Sequence, residues 1–165
     1  DIIELLMKSV SMNGNFVLNF GPDGQGNMHP GEDIIAKELG EWMQINGEAV
    51  HGAKYADFPK TNYGYYTRKD KNLYLTVFNI PVNGIIRLPI IKKSTEVPIT
   101  AEILAADKKN LKIEVKYSDI GYDLDKNTYY DLILPKNFSS NRAFVIKIGL
   151  GDPQTSSTQL MDAKM

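Results

Sequence analysis

The chain has 165 residues, 42% of them apolar and 24% charged, with a formal net charge of −1 and no cysteine. That length accommodates one domain or two small units, and the composition is ordinary for a soluble globular protein. No basic run offers a footprint for nucleic acid or an anionic membrane, disulfides and thiolate metal sites are excluded, and no apolar run approaches the ~20 residues that cross a bilayer.

Asp1 is followed at once by the apolar, helical-looking IIELLM, with no signal peptide, and this start reads as a cut end. The spacing of Ile2, Leu5, Leu6 and Ser9–Val10 predicts a helix over Asp1–Met12, with Asn13-Gly14 as its stop. Phe16–Phe20 (FVLNF) is nearly all apolar, as in a strand covered on both faces of a parallel sheet or barrel. A loop, Gly21–Gly31, follows. A helix is expected from Glu32, with Ile35, Leu39, Trp42 and Met43 on one face and Asn46-Gly47 at its end.

After Gly52 the apolar period becomes two. Strands are expected at Tyr65–Lys69, Leu73–Phe78, Ile85–Ile90, Val97–Leu104, Leu111–Tyr117, Tyr129–Leu134 and Ala143–Gly149, separated by turn-forming clusters. Asn83-Gly84 between apolar runs is the strongest hairpin signal. The expected fold is mainly β: an antiparallel β-sandwich over 53–151, preceded by a detached helix-strand-helix unit over 1–52 and followed by a polar tail over 152–165. About fifty residues with one strand bury too little surface to fold alone, so the first unit is expected to dock on the sandwich or on another chain.

Groups with chemical potential are few. Asn19 is the one polar residue in FVLNF, placed either to satisfy its neighbours or to reach a substrate. In GPDGQGNMHPG the acid–base groups are Asp23 and His29, read as substrate-binding candidates or as parts of a solvated loop. The loop lacks the spacing of a phosphate-binding motif. Tyr63, Tyr65 and Tyr66, with Tyr55 and Phe58 nearby, are candidates for stacking on a sugar; tyrosine is equally a common strand residue. Trp42 lies on the apolar stripe and is read as core. Asp123-x-Asp125-x-Asn127 begins like a calcium loop, but Thr128 and Leu134 stand where glycine and glutamate are required, so a turn is expected. His29 and His51 have no second ligand at metal spacing, and no metal site or cofactor is expected. Asn137-Phe138-Ser139 is a glycosylation sequon, meaningful in a eukaryotic secretory protein.

The stretch SVSMNGNFVLNFGPDGQGNM followed by IAKELGEWMQINGEAVHG resembles the end of the catalytic barrel in α-L-fucosidases of glycoside hydrolase family 29. That family reads VSxNGNxLLNxGPxxDG, then a helix ending in GxWLxxNGEAIYG. Val10-Ser11, Asn13-Gly14-Asn15, Leu18-Asn19, Gly21-Pro22 and Gly26 match the first motif, and Gly40, Trp42, Asn46-Gly47-Glu48-Ala49 and Gly52 match the second. The resemblance implies that Phe16–Phe20 is the eighth strand of a (β/α)8-like barrel and Ile34–Ile45 its last helix, with the loop after the strand on the active-site face. It implies a retaining exo-fucosidase acting on fucosylated glycans through an aspartate nucleophile and a carboxylic acid. Those residues belong to earlier strands, so no catalytic residue is carried over, and this segment is expected to brace the barrel and to be inactive by itself. Its expected partners are the catalytic barrel or another copy of the chain, and its expected setting is periplasmic or secreted bacterial. The alternatives are a free-standing carbohydrate-binding sandwich and a structural or assembly domain.

Overall fold

The computed structural model describes residues 1–58, 61–89, 97–119 and 128–151. Among these residues, two helices, a short 3₁₀ turn and seven strands follow one another in chain order. The strands are β1 (Gly64–Lys69), β2 (Asn72–Val77), β3 (Ile85–Pro89), β4 (Val97–Ile103), β5 (Leu111–Asp119), β6 (Thr128–Ile133) and β7 (Phe144–Gly151). All seven expected strands are present. The calcium-like Asp123–Asn127 and the 152–165 tail lie outside the described residues.

The strands form one antiparallel sheet in the order β1-β2-β7-β4-β5-β6-β3. β5 turns the corner: Leu111–Ile113 pair with β4, whereas Glu114–Asp119 pair with β6. The sheet therefore curls over on itself. Its two edge strands feed one core, where Tyr66 of β1 and Ile86 and Leu88 of β3 join Leu73, Leu75, Ile146, Ile148 and Leu132. This curled half-barrel is the sandwich-like β unit that the period-two pattern implied.

Asn83-Gly84 does form a turn, with the Gly84 N–H donating to Pro81 O at 2.9 Å and Gly84 at φ 68°. It does not form a hairpin. β2 is already paired on both edges, with β1 and β7, so β3 crosses over to pair with β6. The hairpin in this region is β1–β2, closed through Asp70 at φ 54°, with Lys69 opposite Asn72.

The helices are α1 (Ile2–Ser11) and α2 (Pro30–Asn46). Asp1 caps α1 by accepting the Ile3 N–H. The helix ends in a Schellman motif: Asn13 takes φ 59°, its N–H bonds Val10 O, and the Gly14 N–H bonds Ser9 O. α2 starts two residues before Glu32, because Pro30 occupies its first turn and His29 caps it. It ends at the expected Asn46-Gly47, although Gly47 stays right-handed and leads into the 3₁₀ turn Gly47–Ala49.

Both helices contribute to a second core on the outer face of β2 and β7, where Met7, Trp42, Ala49, Tyr74, Leu104 and Val145 are buried. β2 and β7 thus have side chains covered on both faces: Leu73, Leu75 and Ile146 point one way, Tyr74 and Val145 the other. The face of α1 that packs is Ile3–Leu6–Met7, whereas Leu5 of the expected stripe is 54% exposed. α1 carries apolar residues on two sides, and the sheet takes only one of them.

Candidate functional site

Phe16–Phe20 has no ladder partner among the described residues and forms no strand; Asn19 is exposed and Val17 is 78% exposed. A strand exists only with a neighbour to bond, and none of the described strands pairs with this segment. The reading of Asn19 as an amide satisfied by strand neighbours is therefore not met among the described residues.

The loop after it is closed by Asp23. That carboxylate accepts the Gln25 N–H at 2.9 Å, the Asn27 N–H at 2.8 Å and the Asn27 Nδ2 at 3.2 Å. The Asp23 N–H donates to Asn27 O, and the Gly26 N–H returns to Asp23 O with Gly26 at φ 87°. These bonds, led by the Asn27 N–H, hold the Asp23 carboxyl below its ordinary value. At neutral pH it is an ionised acceptor engaged with its own loop. His29 Nδ1 accepts the Gly31 N–H at 3.1 Å, so the ring caps α2. Glu32, which no motif singled out, reaches back to the loop: its Oε1 accepts the Gly21 N–H at 3.4 Å, and its Oε2 is buried with no partner among the described residues. Asn19, Asp23 and His29 thus share one short segment, and no contact joins them.

The tyrosines separate by strand alternation. Tyr66 points into the main core, 6% exposed, edge-on to Phe58 at 4.8 Å. Tyr65 points to the helices, edge-on to Phe78, with its hydroxyl 3.5 Å from Glu4 Oε1. Tyr63 is half-buried against the main core. The three rings do not share an exposed plane.

A polar cluster lies at the helix–sheet junction. Glu48, in the Asn46-Gly47-Glu48-Ala49 run, accepts Tyr74 OH at 3.1 Å and Lys147 Nζ at 3.0 Å through one oxygen. Burial, reinforced by Glu48, pushes the Tyr74 phenol well above its ordinary value, so Tyr74 remains a donor. Trp42 Nε1 donates to Ala143 O at 2.7 Å, and Thr67 Oγ1 donates to Ala49 O at 2.7 Å. Arg142 lies 3.4 Å from Glu41. The second sequence motif therefore maps onto a junction that ties the helical segment to β1, β2 and β7. Trp42 was legible as core; the role of Glu48 depends on residues 26 and 99 positions away.

Fold and junction together define a β-domain that carries, fixed to its outer face, a helical segment whose far side is still apolar. The family model described as Alpha-L-fucosidase matches residues 1–48. Human tissue alpha-L-fucosidase is 30% identical over 155 residues, covering 90% of this chain and 31% of that protein. The rat tissue enzyme is 36% identical over 106 residues, covering 61% of this chain and 22% of the relative. Among solved structures, an alpha-L-fucosidase GH29 from Bacteroides thetaiotaomicron superposes with a TM-score of 0.78 at 30% identity, covering 92% of this chain and 31% of that one. The chain is thus similar to part of the α-L-fucosidases of glycoside hydrolase family 29 and spans about a third or less of the length of these relatives.

Proposed function

We propose that the chain is the C-terminal part of a retaining exo-α-L-fucosidase that removes terminal α-L-fucose from glycans, and that its work is to close and brace the catalytic barrel. Residues 1–52 would supply the last barrel strand and helix, and 53–151 the β-domain that holds them. The observation that carries this reading is a coincidence of place. The family match over residues 1–48 falls on the segment whose Phe16–Phe20 lacks a ladder and whose Leu5, Val17 and Ile34 remain exposed. A neighbouring barrel strand would satisfy the first deficit and a barrel wall the second.

Retention is supported by kinship. In the Bacteroides thetaiotaomicron relative a covalent intermediate has been trapped with 2-fluoro-fucosyl fluoride, as a double displacement requires. The acids that would perform it here are not carried over to any residue of this chain. The free-standing sugar-binding module has less support, because Tyr66 is a core residue and Tyr65 packs toward the helices.

The test compares this 165-residue chain with the longest product of its gene on 4-nitrophenyl α-L-fucoside. The chain alone is expected to give no turnover. The longer product is expected to release nitrophenol and to gain one fluorofucosyl adduct by mass. A longer product without fucosidase activity refutes the proposal, and turnover by the chain alone refutes its bracing role.

A further inference from the structure

Beside the C-terminal turn of α1, the edge strand β1 and the segment leading to it enclose a cleft of about 440 Å³. Its wall includes Lys8, Tyr55, Phe58, Thr61, Tyr65 and Tyr66. We propose that this cleft binds one pyranose ring of a glycan, stacked on Tyr55 and hydrogen-bonded by the Tyr66 hydroxyl.

Three observations converge. The volume is in the range that small-molecule sites occupy, and the wall mixes aromatic rings with a few polar groups, as such sites do. Tyr66, only 6% exposed, carries its hydroxyl buried and without a hydrogen-bond partner among the described residues. A buried hydroxyl without a partner is uncommon, and a ligand hydroxyl arriving in the cleft would give it one. Lys8 forms no ion pair among the described residues, and Thr61 Oγ1 accepts the Tyr63 N–H with its hydroxyl beside that of Tyr66. Tyr55 is 56% exposed, so its ring is open to a partner.

A pyranose has a C–H face that suits an aromatic ring and a rim of hydroxyls that both donate and accept. Tyr55 offers the ring; Tyr66, Thr61 and Lys8 offer the rim partners. The choice of a sugar over another hydroxyl-bearing ring rests on the reading of the whole protein as a glycan-processing enzyme. Assembly of the three tyrosines into one platform is not needed, since a single exposed ring with a buried hydroxyl behind it is enough.

The experiment titrates the longest product of the gene with methyl β-D-galactoside and methyl N-acetyl-β-D-glucosaminide by saturation-transfer NMR, and measures 4-nitrophenyl α-L-fucoside turnover alongside. Saturable binding of at least one probe is expected. Tyr55→Ala and Tyr66→Phe are each expected to weaken it about fivefold or more, while Tyr117→Ala, at an exposed tyrosine of β5, leaves it unchanged. Absence of saturation by both probes, or equal binding by the wild type and both cleft variants, overturns the proposal. Turnover without binding rejects the cleft alone, and binding without turnover rejects the fucosidase reading alone.

Discussion

Trp42→Phe tests whether the helix–sheet junction is a specific joint or a general apolar contact. The indole is 3% exposed, and its Nε1 donates to Ala143 O, 101 residues away, at 2.7 Å. Phenylalanine keeps a ring in place but removes the donor, which leaves the half-buried Ala143 carbonyl without that bond. Loss of the hydrogen bond costs about 1 kcal/mol. The missing part of the indole removes roughly 40 Å² of buried apolar surface, about 1 kcal/mol more at ~25 cal/mol/Å². The expected loss is therefore about 2 kcal/mol, with no change in fold. A urea m-value of about 2 kcal/mol/M converts this to a midpoint lowered by about 1 M, read by far-UV circular dichroism at equilibrium. A shift of about 0.5 M or less, which the lost area alone would give, would mean that the junction does not depend on the indole nitrogen, and the account of how α2 is fixed would be wrong.

Gly64→Ala should be far more damaging. A Cβ there would overlap the Thr76 carbonyl across the β1–β2 ladder, and a loss above about 3 kcal/mol in thermal or chemical unfolding is expected. Gly24→Ala, with open space around its Cβ, should stay within about 0.5 kcal/mol and serves as the control. Glu48→Gln keeps an acceptor for Tyr74 but removes the charge beside Lys147, whose side chain is 27% exposed. Discounted for that exposure, the cost is about 1 kcal/mol, and a double-mutant cycle with Lys147→Met should recover a coupling of about 0.5–1 kcal/mol; additive effects would refute the pairing. Asp23 gives a pH prediction of definite sign. Its carboxyl is held below its ordinary 3.8, so the loop order that it supports is complete above that value and is lost as pH falls through the lower folded value. The Gln25 and Asn27 amide resonances should follow this titration, and a midpoint at or above 3.8 would contradict it.

The candidate groups in the loop illustrate how far residue type carries. Asp23 and His29 were visible as the acid–base groups of GPDGQGNMHPG. That the first closes the loop and the second caps α2 depends on backbone N–H groups whose positions are set by the chain path. Glu48 and Glu32 carried no signal of their own beyond a motif position and a place in the first turn of a helix. The partners of Glu48 are brought to it only when the helical segment lies on β2 and β7, and the Gly21 N–H reaches Glu32 only when the loop folds back on the first turn of α2.

All seven strands were legible because a half-buried or sandwiched strand writes its period directly into its apolar residues, and Asn13-Gly14 was legible as a helix stop because few residues take a positive φ. Pairing was not legible in the same way. Asn83-Gly84 fixes a local turn, but whether two strands meet across it depends on which edges remain free, and β1 and β7 had taken both edges of β2. The same physics governs Phe16–Phe20: its apolar run marks a segment suited to a covered strand, yet a ladder needs a second backbone alongside, and tertiary structure alone decides whether one is there.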